Sequence, residues 1–426
     1  MRAWMRPALR SWTLRTTARR SPGANSTCAP RIGVTRTWNS TELEPRTEYE
    51  VHGSRGRLGW FRTMPPPGVA DFVKIGFGSC FNMRERTVET FQNRDPQEAP
   101  VSLPAHRIWE RLGRDDLDAW CLIGDRYYLP SNYEDYAGHN REEILNLHLR
   151  MHETSLAIPG VTHRLSTAPT YVIYDDHDFG PNNSAWDFSA KDVAEEMARL
   201  TYAIPPRGYP GLPGVYYLAS FGGVDAFFLD DRYHRNSAHR RDEQGRMDAT
   251  PEPVRGETGE YTAQVMLNAM YGDGQMEWLR ESLLASRADV KLIVGGNQML
   301  SNIHPSEGWH LFHERADFLA WLRQAGVSGV IFIAGDRHHG SIGVLPEGGP
   351  YPLYEMTSSG LGVHLAPADD DTAASPYELL TTVSVPHYGV VEYDPYDGAG
   401  VVTLRLEGET GPLAEERIPV DRLRGP

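Results

Sequence analysis

The stretch Thr170-Tyr171-Val172-Ile173-Tyr174 constrains this chain most. It is β-branched and aromatic, with no charge, Gly or Pro, and it reads as a strand buried on both faces. Asp175, Asp176, His177 and Asp178 follow directly, and Gly180-Pro181 then stops any regular element. Three carboxylates and an imidazole thus leave the end of a core strand, where an open α/β sheet places its ligands. Like charges this dense repel one another unless a cation neutralises them. Taken alone, a solvated acidic turn accounts for these four residues better than a site does.

Three further strand exits change that balance. One apolar run ends in Gly78-Ser79-Cys80. Trp120-Cys121-Leu122-Ile123 runs into Gly124-Asp125-Arg126-Tyr127-Tyr128. Val330-Ile331-Phe332-Ile333-Ala334 runs into Gly335-Asp336-Arg337-His338-His339-Gly340. Each pattern is weak by itself, but four in one chain are hard to assign to chance. Together they supply carboxylate, imidazole, phenol and thiol groups. That mixture suits a hard, oxygen-preferring metal beside one that accepts sulfur and nitrogen.

The rest of the chain frames these exits. Its 426 residues suffice for one large domain or two with real cores. The net charge of −15 argues against nucleic acid as the main partner. No apolar run reaches the length of a membrane span. Cys28, Cys80 and Cys121 make no disulfide framework. Residues 1–36 carry eight arginines and no acidic residue, which reads as a basic disordered leader or a start placed too far upstream. No secretory h-region is visible there, so the chain as written reads as cytoplasmic, and as secreted if the start is misplaced. Residues 37–66 alternate like strands and end in the linker Pro65-Pro66-Pro67-Gly68. Residues 67–426 form the main domain. Helical spacing falls at 105–112, 141–152, 191–202, 275–286 and 312–324. Strands fall at 72–79, 120–124, 215–220, 224–229, 290–294 and 327–334, with short strands from 353 onward. Residues 236–262 are polar and read as a lid. The alternation gives an α/β fold with mixed sheets.

These four exits, in this order, resemble the motif set of the alkaline phosphatase D family, the PhoD-like branch of the calcineurin-like metallophosphoesterases. Phe227-Phe228-Leu229-Asp230-Asp231-Arg232-Tyr233, Gln275-Met276-Glu277-Trp278-Leu279 and Tyr351-Pro352-Leu353-Tyr354 support the likeness, which runs from about residue 40 to about 406. Leu43-Glu44-Pro45-Arg46-Thr47-Glu48-Tyr49 resembles the tyrosine corner of a fibronectin type III sandwich, so that 37–66 reads as the remnant of such a domain. The resemblance implies a metallophosphoesterase sandwich of two mixed sheets flanked by helices, preceded by this truncated fibronectin-like β segment. It implies Fe(3+) with Ca(2+) at the strand ends, another divalent metal being an alternative.

Carried over by motif position, the resemblance implies Cys80, Asp125, Tyr128 and His338 as iron ligands. Asp125 would bridge to calcium, with Asp176 and Asp336 as partners there. His177 is implied as the general acid, with orientation of a carboxylate as its alternative. His339 reads as an orienting residue. Asn182 and Asn183 are candidates for calcium or phosphate contact, or equally a capping pair after Pro181. One residue departs from the pattern: Arg126 stands where the family usually has Asn. A guanidinium there could grip a substrate phosphate in bidentate fashion or take the place of a metal.

The implied activity is hydrolysis of phosphodiesters and/or phosphomonoesters by a metal-bound hydroxide, the substrate being a small-molecule or lipid phosphate ester. A phospholipase D-like diesterase is a sibling reading. The rival from another class is a binding protein that kept the fold and lost the chemistry. Retention of the Asp, His, Cys and Tyr set argues against that rival.

Overall fold

The computed structural model describes residues 43–53, 56–82, 103–202, 204–206, 208–236, 269–304, 307–362, 365 and 375–425. It also describes the backbone of strand segments 13–16, 240–241, 247–248, 253–255 and 261–263.

Apolar runs without alternation need cover on both faces, and the chain provides it with two mixed sheets. Strands β1 (Val73–Gly78), β2 (Ala119–Ile123) and β3 (Thr170–Ile173) pair in parallel. Three helices lie between and beside them in sequence: α1 (Leu103–Gly113), α2 (Arg141–Leu156) and α3 (Pro159–Thr167). A helical turn, α4 (Asp176–Phe179), and helix α5 (Lys191–Thr201) lead into the second sheet. Its strands are β4 (Tyr217–Phe221), β5 (Val224–Phe228), β6 (Val290–Val294), β7 (Val330–Ala334), β8 (Gly340–Leu345), β9 (Leu353–Ser358) and β10 (Glu378–Val383). Helices α6 (Asp273–Ala285) and α7 (His313–Ala325) precede β6 and β7. The chain then returns to the first sheet as β11 (His387–Asp394), β12 (Val401–Gly408) and β13 (Pro412–Pro419).

The spatial orders are β13-β12-β11-β1-β2-β3 and β10-β8-β9-β7-β6-β5-β4. Strands β5, β6, β7 and β9 are parallel, and the outer strands antiparallel. Side-chain alternation sorts the cores. Ala119, Cys121 and Ile123 of β2 join the main cluster with residues of the second sheet, while Trp120 and Leu122 face a second cluster with Trp109 and Tyr388. The Trp120 ring lies against β1, where a Cβ at Gly76 would come within 2.7 Å of it. Trp120 meets Trp109 and Tyr388 edge-on at 5.8 and 6.4 Å, contacts worth about 0.5–1.5 kcal/mol each beyond their burial.

Glu48–Gly53 and Gly56–Arg62 form an antiparallel hairpin. The Tyr49 hydroxyl accepts a hydrogen bond from the Glu44 amide at 2.9 Å, as a tyrosine corner would. Gly59 of this hairpin sits directly on the Ser166 carbonyl of α3, so no larger residue fits there. Thr13–Thr16, in the segment expected to be a disordered leader, is a strand on the hairpin's free edge. The rest of 1–36 lies outside the described residues. Most of the expected lid also lies outside them; Arg240–Arg241 pairs with Met247–Asp248, and Pro253–Arg255 with Tyr261–Ala263. Among the described residues no helix is long and apolar enough to cross a membrane.

Candidate active site

Seven parallel strands point their C-terminal ends at one place. The register sets Gly78, Leu122 and Val172 side by side, so β1, β2 and β3 release Cys80, Asp125 and Asp175 close together. From the second sheet, β5 delivers Asp231 and Arg232, β6 Asn297, β7 Asp336 and His338, and β9 Ser359. The turns required are sharp. Among the described non-glycine residues, six have a positive φ: Arg46, Cys80 (60°), Asp125 (53°), Asn183 (56°), Asp336 (67°) and His338 (54°). Five of the six belong to these exits and the loop beside them. L-residues enter the left-handed region at a cost on the order of 1–2 kcal/mol each, and such strain clusters at functional sites.

Asp125 is the centre of the arrangement. Its Oδ2 accepts from the Cys80 thiol at 3.4 Å and from the Tyr128 hydroxyl at 3.1 Å, while Oδ1 accepts from the His177 amide at 3.1 Å. The Tyr128 oxygen is also 3.2 Å from His338 Nε2. Cys80, Asp125 and His338 hold sulfur, oxygen and nitrogen donors within 4.8 Å of one another. Asp125, Asp175, Asp176 and Asp336 hold four carboxylate oxygens at the same spacing, and Asp125, Asp176 and His177 make a third such group. The His177 ring stacks on Tyr128 with centroids 4.2 Å apart, its Nε2 4.0 Å from Asp176 Oδ2.

These groups cannot all be charged without help. Burial, then Asp176, Asp178 and Asp336, push Asp125 well above the usual carboxylate range. Asp175 is pushed the same way by burial, against the pull of Arg232. Burial and Glu307 raise Asp336 to about 8. Asp176 is the exception: burial raises it, but His177 and Arg232 outweigh that and hold it low. Burial and Asp125 also raise Cys80 and Tyr128, and burial depresses His338 to about 4. Asp175 Oδ2, Asp176 Oδ1, Asp231 Oδ1 and Asp336 Oδ2 are buried without a hydrogen-bond partner. Orphaned carboxylate oxygens are costly in a dry interior, and a hard cation satisfies several at once. The donor chemistry therefore fits cations, with an all-oxygen group beside a mixed S, N, O group.

Other residues named from the sequence sit differently. Arg126 is 2% exposed; its Nε pairs with Asp178, and its guanidinium lies 5.3 and 5.2 Å from the Tyr127 and Tyr202 rings. The Asn183 amide donates to Asp176 Oδ2 at 2.7 Å. Asn182 is exposed, its amide donating to the Ser131 carbonyl, and it joins none of the donor groups. His339 is buried beside Gln298 and Arg337. Sequence reasoning did not assign Asp175, Arg232, Asn297 or Ser359. Arg232 pairs with Asp175, Asn297 Nδ2 donates to that carboxylate at 3.4 Å, and Ser359 donates to Cys80 at 2.9 Å. The signal for Asn297 was present, since Gly295-Gly296-Asn297 leaves an apolar strand like the other exits.

A solved structure described as PhoD covers 90% of this chain and 79% of its own, with a TM-score of 0.62 at 15% identity. Purple acid phosphatase PPD1 from yellow lupin (Lupinus luteus) seeds covers 96% and 68%, with 0.60 at 11%. Both share the fold of two mixed sheets flanked by helices. The sequence has no significant match among curated proteins. The PhoD-like phosphatase family matches residues 98–407, a span that holds Asp125, Asp176, Asp336 and His338. The chain therefore belongs to the PhoD-like phosphatase family, and that membership supports a metal-dependent phosphoric ester hydrolase.

Proposed function

We propose that this chain hydrolyses phosphodiesters, phosphomonoesters or both at the strand-exit site, with Fe(3+) and Ca(2+) as its cations. The observation that carries the reading is that one buried carboxylate, Asp125, is common to all three donor groups. A shared carboxylate between a sulfur- and nitrogen-bearing group and an oxygen group is what a two-cation site requires. Cys80, Asp125, Tyr128 and His338 would hold the iron. Asp125, Asp175, Asp176 and Asp336 would hold the calcium. When bound, such cations polarise phosphoryl oxygens and acidify water.

The chain's own residues do the rest. The Asn183 amide and Arg232 hold Asp176 and Asp175 in place. Ser359 keeps the Cys80 sulfur turned toward Asp125. His177 keeps 13% of its side chain exposed at the rim, which suits a donor of the proton that a departing alkoxide needs. Arg126, expected as a phosphate contact, is instead read as a buried strut, because Asp178 and two aromatic rings engage it. The deciding experiment is a screen of phosphate monoesters, phosphate diesters and phospholipids on the protein reconstituted with iron and calcium. Turnover of at least one class that stops on chelation supports the reading; none on any class sinks it.

A further inference from the structure

Asp178 is fully buried and not among the donor groups, yet it touches both strand exits that build the site. Its Oδ1 accepts from the Asp125 amide at 3.1 Å and from the Asp175 amide at 2.8 Å. Its Oδ2 accepts from the Arg126 amide at 3.4 Å and from Arg126 Nε. One carboxylate thereby joins the exit of β2 to the exit of β3. A carboxylate that accepts several backbone amides fixes their carbonyl planes and hence the φ of the residues concerned. Asp125, in the left-handed region, is one of them.

A lone buried carboxylate would be costly. Arg126 supplies the countercharge and is itself clamped from outside the site. Tyr127 and Tyr202 flank its guanidinium, and Tyr202 packs edge-on against His152 of α2 at 5.5 Å. His148 and His152, one turn apart on α2, are buried near the Arg126 guanidinium; burial and that charge hold both imidazoles well below their ordinary value. The pair is thus anchored in the helical layer and reaches into the strand exits.

Resting on the two-cation reading above, we propose that the Arg126–Asp178 pair is a positioning device. It holds the bridging Asp125 in register with Asp175 and Asp176 without itself touching a cation or the substrate. A plain structural role would lower stability and leave the folded site intact. The positioning role makes the site itself respond.

The test uses the full-length protein stripped of metal, with Mn(2+) as the probe cation, and titrations in which circular dichroism shows the chain folded. Asp178→Asn places an amide group against the Arg126 amide and guanidinium donors. It is expected to weaken Mn(2+) binding at least tenfold and to lower kcat for bis(p-nitrophenyl) phosphate with KM less affected. Arg126→Lys keeps the charge but loses the Nε donor and the flat face beside the Tyr127 and Tyr202 rings, so it should recover part of both losses relative to Arg126→Met. If Asp178→Asn does not fold, the Lys–Met difference decides. Folded variants that bind Mn(2+) as the wild type does, or a Lys variant no better than the Met variant, would overturn the proposal. Failure of the wild type to bind Mn(2+) at all would instead overturn the metal-site reading on which it rests.

Discussion

The crowded carboxylates make the metal-free protein sensitive to pH in an unusual direction. Asp336 is raised to about 8 from an ordinary value of 3.8. Between those values the folded chain keeps a proton that the unfolded chain has lost. Stability must then fall as pH rises, by about 1.4 kcal/mol per pH unit for one proton. Buried histidines act in the opposite sense at lower pH. His148, His152, His310 and His339 are depressed to about 3, and His338 and His387 to about 4, from 6.5. Their stabilisation is lost as pH falls through the histidine range; at pH 6.5 each unfolded imidazole is still half protonated, so their slope fades only above about pH 7.5. From pH 7.5 to 9 Asp336 alone should remove about 0.8 kcal/mol, against about 0.3 kcal/mol that the six histidines together still add. Asp125 and Asp175 push in the same direction. Urea midpoints of the chelated protein, taken every half pH unit across this window, measure the effect. Saturating Ca(2+) should flatten the slope, because the bound cation keeps the carboxylates ionised whatever the pH. Stability of the chelated protein that stays level or rises from pH 7.5 to 9 would refute the reasoning.

Three perturbations probe individual groups. His177→Ala should lower kcat on alkyl phosphate esters by roughly 10²–10⁴-fold and much less on nitrophenyl esters, whose leaving group needs no proton; equal losses on both would remove His177 from the acid role. Iron bound to phenolate absorbs visible light, so Tyr128→Phe should bleach or shift that band and Cys80→Ser should deplete iron, both read by absorption spectroscopy and elemental analysis. A colourless, fully active enzyme would end the iron assignment. Gly296→Ala would set a Cβ 2.7 Å from Asp175 Cγ and 2.9 Å from Asp231 Oδ2, a crowding of about 1–3 kcal/mol. It should weaken calcium retention on dialysis, and wild-type retention would show that both carboxylates yield freely.

The strands that carry the site were legible because their burial is extreme. β2, β6 and β7 are buried at every position, so their sequences run apolar without a break, and the polar residues at their ends stand out. Asp125, Asp336 and His338 follow from that contrast. Cys80 leaves β1, and Asp176 and His177 leave β3, which was expected to be buried on both faces but is an edge strand half-buried at Thr170 and Tyr171; all six meet in the structure. Asn297 follows the same rule but was overlooked, since Gly-Gly-Asn reads as an ordinary turn. Helix α3 escaped detection because Pro159-Gly160 looks like a break, although Pro at the first helical position is favourable. The partner of Arg126 was out of reach for a different reason. Asp178 lies 52 residues away, and no local pattern says which of three neighbouring aspartates turns inward to the arginine and which face the cations. Arg232 is similar, its pairing with Asp175 being set by the meeting of the two sheets.

The central claim is that Asp125 ties two cations into one catalytic site. The most direct measurement is elemental analysis of purified, active protein beside Asp125→Asn, with turnover recorded on the same samples. The account predicts iron and calcium together in the wild type. In the variant it predicts loss of both, with activity falling in proportion while the fold persists by circular dichroism. An Asp125→Asn protein that keeps both metals and its turnover would contradict the account.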